Sequence, residues 1–320
     1  MYCAYFCAFL SDIIIAQEKT NVNRRKNKMK DYLMVILAVA LLALGFVMQK
    51  IYQRRTDDTT EGGIDFSIIS GLFSIAILIL TSGFSVSFTW FSAINAILKS
   101  ACCLAYTIIG FRIMKESSVA IYMLFLMSGG MLVPSVWGWI FLGEEPKPLH
   151  ILGLAVILIS IIINNVGKEK LSGGLLLMCC AVFVLNGFVS VFSKLHQVNT
   201  TYEMVSTVEY AMLSAVASLS MSLILKGVLS LKKSGAARKR YEFKLLPIII
   251  VLAYSILGTV SSVLQLEGAK NLPASMLYPM ITGGSVALTG VFALIFFKEK
   301  LSLRGWISVA LCCAGTGLFI

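Results

Sequence analysis

Charge is what this chain has least of. Only 13% of its 320 residues are Asp, Glu, Lys or Arg, while 58% are hydrophobic. A soluble domain carries about 25% charged residues, so water is excluded as the main solvent. Histidine is nearly absent, with His150 and His196 the whole complement, and no zinc spacing can be assembled from them. No GxxxxGK[ST] loop is present, which excludes ATP-driven pumping by this chain. There is no GxSxG elbow, no HExxH and no acidic cluster placed to face a pocket. Catalysis therefore has little support, and no catalytic residue, metal or cofactor is expected. Long polar linkers are missing too. The longest, 50–65 and 227–244, are too short to hide a soluble catalytic domain.

What remains is apolar sequence in long runs. Ten are distinguishable, at 32–49, 66–84, 89–113, 117–141, 149–166, 172–193, 204–226, 245–266, 273–297 and 303–320. Most approach the roughly 20 residues a spanning helix needs. They are continuously apolar, whereas barrel strands alternate over about ten residues. The expected fold is an all-α membrane protein with ten transmembrane helices. The net charge of +11 sits in short runs between these stretches, so it is a topology signal and implies no nucleic-acid partner. Three adjacent cysteine pairs, Cys102–Cys103, Cys179–Cys180 and Cys312–Cys313, lie inside predicted helices. Neighbours there point about 100° apart, so they read as small packing residues.

The chain says similar things twice. FLGEEPKPLHILG at 141–153 is echoed by FFKEKLSLRG at 296–305, and Glu145 and Glu299 are 154 residues apart. Gly129 in FLMSGG and Gly283 in PMITGG share that offset. GFVMQKIYQ (45–53) and GFVSVFSKLHQ (187–197) match as well, aligning Lys50 with Lys194, both read as interface anchors. Five helices per half is an odd number, so the second copy inserts upside down, as two inverted five-helix repeats. Loops after odd-numbered helices hold seventeen Lys and Arg, against Lys147, Lys194 and Lys270 after even-numbered ones. The positive-inside rule puts the odd loops in the cytoplasm and both termini outside. Residues 1–28 fit neither repeat. Arg24–Arg25 could be encoded as a ribosome-binding site upstream of Met29, and starting at Met29 removes basic residues from the wrong side. The expected division is 1–28 as an extension upstream of the true start, 29–166 as the first repeat and 167–320 as the second.

The Gly-Glu pattern before the closing helix, its echo, and five helices per half resemble the EamA-type ten-helix branch of the drug/metabolite transporter superfamily. The resemblance covers about residues 32–320. It implies a multi-pass carrier in the cytoplasmic membrane for small solutes, including amino acids, sugars, nucleotide sugars, other metabolites and drugs. Members are commonly drawn with both termini in the cytoplasm, opposite to the Lys/Arg count here.

Ionisable groups inside a bilayer are costly and so are functional candidates. Lys99 lies mid-helix, and Ser92, Asn95, Lys99, Cys102 and Tyr106 fall three and four apart on one face. That makes a polar stripe about 20 Å long. Helix 8 repeats the device with Tyr254, Gly258, Ser261 and Gln265. Helix 9 offers Tyr278, Thr282, Ser285 and Thr289, where packing between helices is the plainer reading for the hydroxyls. Pro134, Pro273, Pro279, Gly129, Gly130, Gly283 and Gly284 mark places where helices 4 and 9 bend or pack closely. The expected substrate-binding set is Lys99, Asn95, Tyr106, Tyr254, Gln265 and Tyr278. Glu209, about two turns into helix 7, is the acidic residue clearly inside a span and the proton-coupling candidate. Taken out of water, a carboxyl favours its protonated form, as a proton carrier requires; pairing with Lys99 is the competing reading. The expected activity is secondary transport by alternating access, with a tilt towards anionic or zwitterionic metabolites. The alternative is a non-transporting receptor or assembly partner with a sealed centre. The expected partners are a small-molecule solute, the lipid bilayer and a second copy of the chain in a homodimer.

Overall fold

In a bilayer every backbone N–H and C=O must be satisfied within the segment, which leaves helices as the solution for long apolar runs. The computed structural model describes residues 2–55, 60–117, 119–165, 172–232, 245–298 and 303–319. They form ten helices: α1 Tyr2–Arg55, α2 Thr60–Thr81, α3 Trp90–Glu116, α4 Val119–Phe141, α5 Pro148–Asn165, α6 Gly173–Val198, α7 Thr207–Lys232, α8 Leu245–Asn271, α9 Ala274–Phe297 and α10 Leu303–Gly317. Eight are long and apolar enough to cross a membrane, the crossing portion of α1 being Met29–Arg55. The described parts of α5 and α10 are shorter, and these two helices pack on each other. Large apolar side chains such as Leu80, Leu177 and Leu245 face outward, as lipid contact requires. Phe84, Phe88 and Trp90 lie exposed beside the α2–α3 loop, at the level where aromatic belts sit.

The packing exchanges the two halves. α1 lies against α8 and α9, and its counterpart α6 lies against α3 and α4. α3 packs on α7, and α8 correspondingly on α2. Adding five to a helix number thus maps one set of contacts onto the other, as an inverted repeat demands. The result is two interlocked bundles, α3–α4–α6 and α1–α8–α9, each borrowing its first helix from the other half.

The paired glycines serve this packing. A Cβ on Gly129 would lie 2.1 Å from the Phe183 carbonyl oxygen on α6. One on Gly283 would lie 2.7 Å from Ile157 Cδ1 and Thr316 Oγ1. Pro134 and Pro279 sit inside α4 and α9 without ending them. Glycine at these positions lets helices approach to backbone distance, the membrane form of small-residue packing.

The end of the molecule carrying the even-numbered loops is tied together by charge. Pro273 starts α9 and provides no side-chain cap. Glu144, from the α4–α5 loop of the first half, takes that place. Its carboxylate accepts from Ala274 N at 2.5 Å, Ser275 N at 3.0 Å and Ser275 Oγ at 2.8 Å. A carboxylate on a helix N-terminus satisfies orphan amides and complements the dipole. Lys194 of α6 does the converse at the C-terminus of α8, donating to Ala269 O at 2.8 Å and Leu272 O at 2.6 Å. These two side chains grip both ends of the α8–α9 turn. One expectation changes here. Lys194 is only 5% exposed and is no interface anchor; Lys50 instead lies over the Phe297 ring, 4.8 Å from its centroid. Glu145, singled out by the repeat, is exposed, and its neighbour Glu144 makes the contacts. Glu299 lies outside the described residues.

Candidate functional site

α3 supplies one wall. Its outward face is exposed at Ile94, Ile97, Leu98 and Ile108. On the inward face Ser92, Asn95 and Ala96 are buried towards one end, and Gly110 and Ile113 towards the other. Between them Lys99, Cys103 and Tyr106 are half-buried. The face is thus buried at both ends and half-buried in the middle. The packing at the odd-loop end is tight, because a Cβ on Gly110 would sit 2.4 Å from the Tyr122 ring of α4.

α8 supplies the facing wall. Leu252, Ile256 and Val260 are exposed on its outer side. At 100° per residue, Tyr254, Gly258 and Gln265 fall on the opposite side. They are half-buried, and fully buried Ile250, Val251 and Ala269 flank them. A Cβ on Gly258 would meet nothing within 4 Å, although it points inward. α3 and α8 do not pack closely on each other. Across the gap, Tyr106 and Tyr254 are within electrostatic reach, and Tyr122 joins them from α4.

Lys99 is the charge in this space. It makes no hydrogen bond or ion pair among the described residues. Its contact is the ring of Tyr210 on α7, 5.5 Å from Nζ to the centroid, within cation–π range. Tyr210 is fully buried, and its hydroxyl donates to Asn95 Oδ1 at 2.8 Å. Cys103 Sγ donates to Tyr106 Oη at 3.2 Å, so the sulfur in the stripe's network belongs to Cys103 rather than Cys102. Tyr278 of α9 donates to Ser190 O at 2.7 Å and lies within electrostatic reach of Tyr210. Gln265 donates to Ser261 Oγ at 2.9 Å, and Ser261 in turn donates to Ala38 O of α1 at 2.7 Å. Ser261 is thereby turned to α1 and away from the space.

Of the six expected binding residues, Lys99, Tyr106, Tyr254 and Gln265 are half-buried on the two facing walls. Asn95 and Tyr278 are buried beside them and hold Tyr210 and α6. Glu209 lies elsewhere. α7 starts at Thr207, so Glu209 stands in its first turn rather than two turns in. Its carboxylate accepts from Ser85 Oγ at 3.2 Å, Ser87 N at 3.0 Å, Ser87 Oγ at 2.6 Å and Ser206 N at 2.9 Å. It clasps the α2–α3 loop and makes no pair with Lys99. Sequence reasoning passed over Tyr210 and His196, which stack at 3.7 Å and 13°. The scarcity of histidine was the available signal. Among the described residues no three His, Cys, Asp or Glu side chains converge as metal ligands do.

One solved crystal structure superposes on this fold with a TM-score of 0.71 at 16% identity, covering 91% of this chain and 96% of its own. No curated protein matches the sequence significantly. The sequence profile of the EamA-like transporter family matches residues 172–320. That match takes in the second five-helix half, just under half of the chain, and the helical fold, with eight helices able to cross a membrane, agrees with it.

Proposed function

We propose that this membrane transporter carries a small anionic or zwitterionic solute by alternating access, with Lys99 as the anion site. The observation that carries the reading is a mid-depth ammonium with no counter-charge among the described residues, on an α3 face that does not pack closely on α8. A charge at that depth costs several kcal/mol on any scale, so a fold that keeps one unpaired has a use for it. A carboxylate or phosphate on the solute would supply the missing partner. Tyr106 and Tyr254 would offer hydroxyls and apolar faces to the rest of the solute, as small-molecule sites do, while Tyr278 holds α6 behind them. Asn95 acts through Tyr210, and Gln265 borders the wall below Gly258. Glu209 serves as a clasp in this reading, because four donors already engage its two oxygens and a proton would have to displace at least one of them. The moving bodies are the two interlocked bundles rather than the two sequence halves. The even-loop end, gripped by Glu144, Lys194 and Glu209, is the cytoplasm-distal gate in the orientation set by the basic loops. A sealed receptor core would leave no space beside Gly258.

The test is a thermal-shift screen of detergent-purified protein against amino acids, organic acids, sugars, nucleotides and cationic drugs. A ligand at a hundred times its Kd adds about 2.7 kcal/mol to the folded state. Stabilisation by carboxylates or phosphates that disappears in Lys99→Gln supports the reading. Stabilisation by cations alone contradicts it.

A further inference from the structure

His196 is fully buried, yet every polar atom of its ring has a partner. Ser92 Oγ lies 2.8 Å from Nε2. That hydroxyl already accepts from Thr89 Oγ1 at 2.8 Å and Val205 N at 3.2 Å. A hydroxyl has two acceptor sites and one proton, so the Ser92 proton points at Nε2. Nε2 is therefore the acceptor, and the neutral ring carries its proton on Nδ1. The structure sets Gln197 Nε2 3.2 Å from Nδ1 and has Thr207 Oγ1 donate to Gln197 Oε1 at 3.3 Å. A proton on Nδ1 requires that amide to be turned over, its oxygen to the ring and its nitrogen to Thr207, an exchange of two atoms that differ only in their hydrogen bonds.

The same surroundings suit the charged ring. Imidazolium would donate from both nitrogens, to Ser92 Oγ and to the Gln197 oxygen. It would lie between two aromatic faces, Tyr210 at 3.7 Å and 13° and Phe91 at 5.9 Å and 15°, which favour a cation. A path to water exists. Thr89 is half-buried at the even-loop end. The Ser92 proton passes to Nε2, the Thr89 proton replaces it, and a hydronium ion from solvent gives its proton to Thr89 and is left as water. Afterwards Ser92 accepts from Nε2 and Val205 N and donates to Thr89, so no buried group is left unpaired. Both states of the ring are fully hydrogen-bonded.

We propose that His196 is the site of a coupling proton, bound one aromatic ring away from the solute. Tyr210 stacks on His196 and also faces Lys99, and the two cations are within electrostatic reach. A proton on His196 makes the space more attractive to an anion. By reciprocity, a bound anion makes His196 easier to protonate. This part rests on the carrier reading, while protonation itself can be measured without transport. The charged and titratable neighbours are Lys99 from α3, Lys194 on the same helix, Tyr210 and Glu209 from α7, and Glu267 and Lys270 from α8; α4, also packed on α6, carries no charged residue.

The chain contains only two histidines, so 15N-histidine NMR of the intact purified protein resolves both rings, with His150→Gln giving the assignment. The expected neutral form of His196 has its proton on Nδ1. It should take up a second proton reversibly while the protein stays folded. At a pH where little of the wild-type ring is protonated, Lys99→Gln should hold severalfold more, and Glu209→Gln should not abolish the titration. An Nε2–H tautomer, a ring that stays neutral until the protein unfolds, or a titration indifferent to Lys99→Gln would each overturn the proposal. Such a failure would leave the anion-binding screen, and the carrier reading it tests, untouched.

Discussion

Replacing Lys194 by Met asks how much the grip on the α8–α9 turn contributes. Met preserves the length and most of the volume of the side chain and removes the ammonium. Two hydrogen bonds from a charged donor are lost, at 2.8 and 2.6 Å. Bonds to charged groups contribute about 1.5–3 kcal/mol each. Their acceptors belong to Ala269 and Leu272, which are 1% and 5% exposed, so water cannot readily replace the donor. Against this, the variant no longer buries an ammonium, a cost of several kcal/mol that the wild type bears. The Glu144 carboxylate, already bonded to α9, loses a nearby cation. The lost bonds outweigh the relief because two carbonyls are left without partners, and the net loss should be about 3 kcal/mol. The assay is thermal unfolding in detergent, beside Arg112→Met as the control. Arg112 pairs with Glu116 on an exposed face at 3.2 Å, an interaction worth only about 0.3–0.5 kcal/mol. A fall in Tm of roughly 6–12 °C for Lys194→Met is expected, from the usual ratio of about 2–4 °C per kcal/mol. A melting curve indistinguishable from the control would refute the clamp.

Other outcomes follow from the same geometry. Gly258→Ala should leave folding and ligand-induced stabilisation intact, since its Cβ meets nothing within 4 Å. Gly258→Phe should leave the fold standing but abolish the ligand shift, by filling the space; an unchanged shift would mean Gly258 does not face the site. Gly129→Ala should cost about 1–3 kcal/mol or more through overpacking, because its Cβ would lie 2.1 Å from a backbone oxygen. Yield of monodisperse protein and its Tm read this directly. Glu209→Gln should expose the α2–α3 loop to protease by loosening the three bonds that hold it, without altering the ligand shift.

The helices and the duplication were legible because bilayer physics writes them in runs and spacing. Two landmarks at one offset sufficed for the inverted repeat. The stripe on α3 was legible for a related reason, since periodicity fixes which residues share a face. Periodicity does not say what that face meets along its length. Ser92 and Asn95 are buried against α6 and α7, whereas Lys99 and Tyr106 are only half-buried, on one and the same face. Partners were least legible. Glu209 meets Ser85 across 124 residues, and Lys194 meets Leu272 across 78. No local pattern encodes such pairs. The exchange of α1 and α6 between halves was hidden for the same reason, and it changes which helices pack into one bundle. Glu145 stood out because the repeat aligned it, while Glu144 was placed by the Gly143 turn at a φ of 63° to reach α9.

The most direct measurement is the rate at which Gly258→Cys reacts with two methanethiosulfonates of similar size, one anionic and one cationic. Each rate is normalised to the reagent's rate with a free thiol, and labelling at 258 is read by peptide mass spectrometry. The account predicts that the site reacts, that the anion is preferred on the order of tenfold, the equivalent of 1.4 kcal/mol of potential from Lys99, and that Lys99→Gln removes the preference. A thiol at 258 that stays unreactive, or that shows no preference for the anion, would contradict a water-accessible space governed by Lys99.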